Sequence, residues 1–206
     1  MTLFHTDEDR KAYLGLLAEF SDRFNLAIWA WCLMTNHVHR VAVPSHSESL
    51  ARAIGEAHRR YTRRVNFKEG VRGHLFQERF HSFPIQHDRH LLAVVRYVEN
   101  NPVRAGRVVW AEDHPWSSAR YHIQGGTDRL VKSTPLPEME SDGSAFLRAE
   151  DDGSSIEGIR SRIRTGRPFG KRGWVKRLEK RLDRPLLPQT GGWPKGKPRR
   201  RARVMN

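Results

Sequence analysis

The sequence predicts an α+β fold organised around one antiparallel pair of strands. Residues 26–34 are apolar at every position, as in a strand covered on both faces. After a Thr35-Asn36 turn, residues 37–43 alternate, with His37, His39, Val41 and Val43 on one face and Val38 and Ala42 on the other. Stretches with helical spacing flank this pair on both sides, so the sheet is expected to have helices packed on it.

The elements follow in order. Residues 7–24 read as a helix because Tyr13, Leu16, Leu17 and Phe20 share a face, and Thr6 followed by Asp7, Glu8 and Asp9 suits its positive end. Pro44 ends the second strand. A helix over 48–66, capped by Ser47, turns Leu50, Ile54, Ala57, Tyr61 and Val65 inward. Its outer face carries Arg59, Arg60, Arg63 and Arg64, a pattern that fits a phosphate track and equally a solvated face. Residues 75–85 resume strand-like alternation, and 88–100 form a third helix with Leu91, Leu92, Val94, Val95 and Val98 apolar, stopped by Pro102. A helical turn is expected at His114 to Ser118, and one basic amphipathic helix over 173–182.

Charge divides the chain. Residues 1–156 carry 20 basic and 20 acidic side chains, whereas 157–206 carry 17 basic and 3 acidic ones, so the net charge of +14 belongs to the C-terminal segment. The expected organisation is a domain over 1–123, a flexible linker over 124–156 rich in Gly, Ser, Pro and acids, and a basic DNA-binding tail over 157–206 ending in Arg199, Arg200 and Arg201. The single cysteine, Cys32, excludes an internal disulfide framework, and the longest apolar run, nine residues, is too short to span a membrane. The composition suits a cytoplasmic, nucleoid-associated protein.

The residues that carry chemistry are His37, His39, Tyr97 and Asn101. Two imidazoles side by side on a strand can hold a metal ion, although histidines there are often merely packed. Tyr97 and Asn101 are four apart and share a helical face if the third helix reaches Asn101. Two histidines and an amide oxygen would leave open positions on a divalent ion, able to polarise a phosphodiester beside a tyrosine nucleophile.

A longer series repeats this order: Met34-Thr35-Asn36-His37-Val38-His39, Tyr61-Thr62 with Asn66, Phe76-Gln77-Glu78-Arg79-Phe80, residues 97–106 from Tyr97-Val98-Glu99-Asn100-Asn101-Pro102 to Gly106, and Pro115-Trp116-Ser117-Ser118. It resembles the REP-associated tyrosine transposases, which are single-tyrosine HUH endonucleases similar to the smallest insertion-sequence transposases. The resemblance covers residues 4 to 123. It implies a ferredoxin-like antiparallel sheet with packed helices, the HUH endonuclease fold. It also implies a metal-dependent transposase that cleaves and rejoins single-stranded hairpin DNA through a 5′-phosphotyrosine. Tyr97 would be the nucleophile, His37, His39 and Asn101 the ligands of Mg²⁺ or Mn²⁺, and Arg104 a DNA contact. Tyr61, on the apolar stripe of its helix, is assigned to the core.

By the resemblance, family members usually open with a further segment holding a first strand beside the His strand, and this sequence is expected to lack that strand. They also commonly have proline and leucine where this chain has Thr35 and Arg40. The alternative function is therefore a decayed transposase, or a hairpin-DNA-binding protein without catalysis. A monomer and a homodimer both fit.

Overall fold

In the computed structural model, which describes residues 2–77, 79–140, 142–149 and 153–188 apart from the side chains at 137 and 138, helix α1 (Asp7–Arg23) opens on a capping box. The Thr6 hydroxyl accepts from the Asp9 N–H at 3.2 Å, and the Asp9 carboxylate accepts from the Thr6 N–H at 3.1 Å. Asn25, at φ 52°, reverses the chain into β1 (Leu26–Leu33). Asparagine tolerates that left-handed backbone better than most residues.

β1 pairs antiparallel with β2 (Val38–Pro44), Cys32 opposite His39 and Ala30 opposite Val41. The register shifts between Ile28 and Ala30, leaving Trp29 as an extra residue. A bulge of one residue changes which face the following side chains occupy. Leu26 and Ile28 before it, and Trp31 and Leu33 after it, therefore bury in one cluster, while Ala30, Cys32 and Met34 bury in another. This is why residues 26–34 are apolar throughout.

The first cluster lies under α1 and α2 (Ser49–Glu69), where Phe4, Tyr13 and Tyr61 meet at ring-centroid distances of 5.2 to 5.6 Å. Full burial of such side chains contributes roughly 1.5–3 kcal/mol each. α2 starts after Glu48 without a side-chain cap, rather than on Ser47, and ends at Gly70 in the left-handed region.

The second cluster joins the opposite face of the sheet to α3 (Arg89–Glu99), whose N-cap Asp88 accepts from the His90 N–H at 2.8 Å. A short helix α4 (Asn101–Arg104) follows one residue later. Ser117 bridges Cys32 at the free edge of β1, flanked by Leu33 N–H donating to Trp116 O and Ser118 N–H donating to Trp31 O, and α5 (Ala119–Gln124) begins only after them. The helical turn expected there is thus replaced by a sheet-edge cover.

Other expectations change. The α+β class is borne out, but the named sheet among the described residues has two strands, not the wider ferredoxin-like sheet. The described residues of 75–85 form no strand beyond a single bridge from Ile85 to Phe169, because adjacent Leu75 and Phe76 both pack on the first cluster, which strand alternation forbids. Residues 124–156, linker-like in composition, carry α6 (Leu136–Met139) and α7 (Gly143–Arg148), and Leu136, Phe146 and Leu147 are buried beside α3. A few well-placed apolar side chains suffice to dock a segment whose average composition is polar. α8 (Gly153–Thr165) adds buried Ile159 to the same cluster, and α9 (Arg172–Leu182), expected over 173–182, buries Val175. Arg199, Arg200 and Arg201 lie outside the described residues. No helix among the described residues is long and apolar enough to cross a membrane.

Candidate active site

His39 and Val41 lie on the face of β2 turned toward α3, with His37 just ahead of the strand. The His37 and His39 rings have centroids 4.9 Å apart, and the Tyr97 ring from α3 meets His39 edge-on at 5.7 Å. The structure therefore brings together three of the four residues the sequence singled out. Asn101 opens α4 one turn beyond Tyr97 and makes no hydrogen bond to either imidazole among the described residues. The expectation that helix continues to Asn101 is met only through Asn100, which caps α3 with its N–H on Arg96 O and fixes its own side chain on the Leu147 carbonyl at 2.7 Å.

Burial sets the charge of the imidazoles. Desolvation pushes the pKa of His39 down to about 3, with the neighbouring charges of His37, Arg104 and Arg40 acting the same way. His37 moves in the same direction, but its ring is at the exposed rim, so His39 is the better argument for a neutral ligand. The Nδ1 of His37 lies 2.7 Å from Asn36 Oδ1. If Nδ1–H donates there, Nε2 is left with its lone pair outward, the arrangement found in metal-bound histidine.

This donor set fits a divalent ion that keeps positions for water or phosphate. Among the described residues no group of three or more His, Cys, Asp and Glu side chains could hold a metal, so a closed structural site is not on offer. The ligands available are two neutral imidazoles and, one turn past Tyr97, an amide oxygen.

Arg104, expected as a DNA contact, lies over the Tyr97 ring with its guanidinium carbon 4.2 Å from the ring centroid, and it donates to the Tyr97 carbonyl. Tyr97 is thus clasped between His39 and a cation. Tyr61 is fully buried, donates to the Leu3 carbonyl at 2.8 Å, and has its pKa pushed well up by burial; its assignment to the core agrees with this. Of the arginines on α2, Arg59 and Arg60 reach Glu56 at 2.5 and 3.9 Å, whereas Arg63 and Arg64 make no ion pair among the described residues.

Beyond the open edge of β2 is a cleft of about 420 Å³ lined by His37, His39, Arg40, His58, Phe76 and Arg79. Tyr97 does not line it. Sequence reading overlooked His58, which follows Ala57 at the margin of the apolar stripe of α2; that position is its only signal. Arg40 donates to the Tyr13 hydroxyl at 2.8 Å, the same hydroxyl is hydrogen-bonded to Nε2 of His58 at 3.1 Å, and the His58 ring stacks on Phe76 at 3.7 Å.

Burial holds the pKa of His58 down at about 3, against about 6.5 in an unfolded chain. As pH falls, the unfolded chain takes the proton first, so stability is unaffected above pH 6.5 and declines from there toward pH 3. Thermal unfolding at pH 7 and pH 5 should show this decline, with a smaller drop in His58→Phe. Equal drops in both proteins would remove His58 from the account.

The last residue of α3, Glu99, is a fully buried carboxylate. One oxygen of Glu99, Oε1, accepts from the Ser118 hydroxyl and from Nδ1 of His122 at 2.6 Å. The Ser118 hydroxyl also accepts from the Trp31 N–H at 2.9 Å. The end of α3 is thereby tied to β1, two residues after Tyr97.

Residues 2–101 match the family model of IS200-like transposases. The match spans β1, β2 and α1 to α3, and it ends on Asn101, so His37, His39 and Tyr97 all lie inside it. It supports a transposase, a DNA-acting enzyme, without distinguishing the REP-associated kind. No curated protein and no solved structure matches the chain.

Proposed function

We propose that this protein is a transposase that cleaves and rejoins single-stranded DNA at REP-type hairpins, with Tyr97 as nucleophile and a 5′-phosphotyrosine as intermediate. The observation that carries the proposal is the Tyr97 ring packed edge-on against His39, with His37 4.9 Å beyond, inside the stretch that matches transposases.

His37, His39 and Asn101 would hold Mg²⁺ or Mn²⁺, which when bound supplies charge to polarise the scissile phosphate and offset the negative charge of the displacement. Everything else is done by side chains. Tyr97 Oη attacks phosphorus, forming the O–P bond as the bond from phosphorus to the 3′ oxygen breaks. The phenolic proton passes to water and the departing 3′ oxygen takes one up, leaving a 3′ hydroxyl. An unperturbed phenol has a pKa of about 10, so attack near neutrality needs favourable charge close to the oxygen. The Arg104 guanidinium packs over the ring and fixes the ring's orientation. In rejoining, a 3′ hydroxyl attacks the phosphotyrosine, restoring a phosphodiester and the phenol with no nucleotide cofactor.

The test is incubation with a labelled single-stranded hairpin oligonucleotide and Mg²⁺ or Mn²⁺, followed by denaturing electrophoresis. The expected result is a protein-linked band that chelator prevents and His39→Ala lacks. A chain that binds the hairpin and never forms the band would instead be the DNA-binding, non-catalytic protein.

A further inference from the structure

On the outer surface of α1 and α2, away from the sheet, lies a groove of about 1310 Å³ whose lining includes Lys11, Arg63, Arg64, Arg72 and Arg129, with Glu19 as its acid. Phe67 stands in it 90% exposed, and Val71 beside it 54% exposed. The sheet and the first core cluster separate this groove from His39 and Tyr97.

Three features indicate a built surface rather than a wet helix face. Arg59 is matched by Glu56, whereas Arg63 and Arg64, one turn on, have no carboxylate within ion-pair distance among the described residues. An aromatic ring left almost wholly in water in the same groove as these cations is a liability for a folded chain unless something covers it. Third, Gly15 stands in the middle of α1, where glycine costs about 1 kcal/mol relative to alanine. A Cβ there would lie 3.0 Å from the terminal nitrogen of Arg129, so the glycine leaves room for that guanidinium across the helix.

We infer that this groove is a second nucleic-acid site, which takes a single-stranded segment flanking the one at Tyr97. The arginines neutralise successive phosphates, and Phe67 stacks against a base. A protruding ring favours a single strand, because in a duplex the base faces are already stacked on one another. The inference deepens the DNA reading above and depends on it only for the identity of the nucleic acid.

The experiment is fluorescence anisotropy of a labelled oligothymidylate with the full chain, over a salt series. Arg63→Gln with Arg64→Gln should weaken binding about tenfold or more and lower the slope of log affinity against log salt by roughly 1.4, two contacts at about 0.7 each on a single strand. Phe67→Ala should weaken binding at least about fivefold with the slope unchanged, since a stacked base is worth roughly 1–3 kcal/mol. The matching duplex should bind less tightly. Parent-like binding by the double arginine variant, or by Phe67→Ala, overturns the inference, as does a duplex bound as well as the single strand. Adduct formation by the wild-type chain is read separately: its absence would count against the tyrosine chemistry and leave the groove result standing.

Discussion

Tyr97→Phe is expected to abolish the covalent protein–DNA adduct, a loss of at least about 10³-fold, while changing the melting temperature little. Removing only the hydroxyl deletes the atom that forms the bond to phosphorus and leaves no substitute nucleophile on the ring. The ring itself stays, with its contacts to His39 and to the Arg104 guanidinium, so packing is preserved. The chain has four tyrosines, and their surroundings narrow the choice. Tyr13 is fully buried with its hydroxyl between Arg40 and His58, and Tyr61 is buried on the Leu3 carbonyl. Tyr121, on α5, packs against the first cluster under α1 and α2 and is not in ring contact with His37 or His39. A denaturing gel with labelled hairpin DNA and Mn²⁺ decides the matter. An adduct that survives Tyr97→Phe would refute the assignment, most directly if Tyr121→Phe removed it.

The residues around Tyr97 show what a sequence can and cannot convey. His37 and His39 could be placed on one face because strand alternation fixes it, and the structure puts them there beside Tyr97. The apolar run at 26–34 revealed a strand covered on both faces but not the bulge at Trp29 that exchanges those faces, since a bulge leaves no mark in an unbroken apolar stretch. Residues 75–85 alternate in sequence, yet the described ones among them follow no strand, because the burial of Leu75 and Phe76 together outweighs local pattern. Composition over 124–156 averages away Phe146 and Leu147, the very residues that dock α7 on the second cluster. Arg104 was legible as a basic residue near the tyrosine; its position over the ring depends on the break between α3 and α4, which sequence spacing does not give.

Glu99 was overlooked for a similar reason, although it stands four residues after Val95 and eight after Leu91 on the buried stripe of α3. An acid in that position is either misplaced or partnered, and here Ser118 and His122, four apart, present a hydroxyl and an imidazole N–H to the same carboxylate oxygen. Glu99→Ala should destabilise the fold by about 2–6 kcal/mol, because two buried donors lose their acceptor, at roughly 1–3 kcal/mol each, and a cavity opens. That is a large share of the roughly 5–15 kcal/mol that holds a domain together. Glu99→Gln keeps the shape and one acceptor oxygen, so it should cost only about 1–3 kcal/mol and remain folded. In that folded variant adduct formation should still slow, since Ser118 ties α3 to β1 only two residues from Tyr97, and the slowing should appear in the single-turnover rate at saturating DNA rather than in affinity. Replacing both Glu99 and His122 with leucine should recover much of the stability, because apolar substitution of a whole buried pair is often neutral, but it should not recover the rate if the tie positions Tyr97. Urea unfolding and single-turnover adduct kinetics measure the two effects separately. A Glu99→Ala protein within about 0.5 kcal/mol of the parent, the range of ordinary surface changes, would mean that the carboxylate is not holding α3 to the sheet.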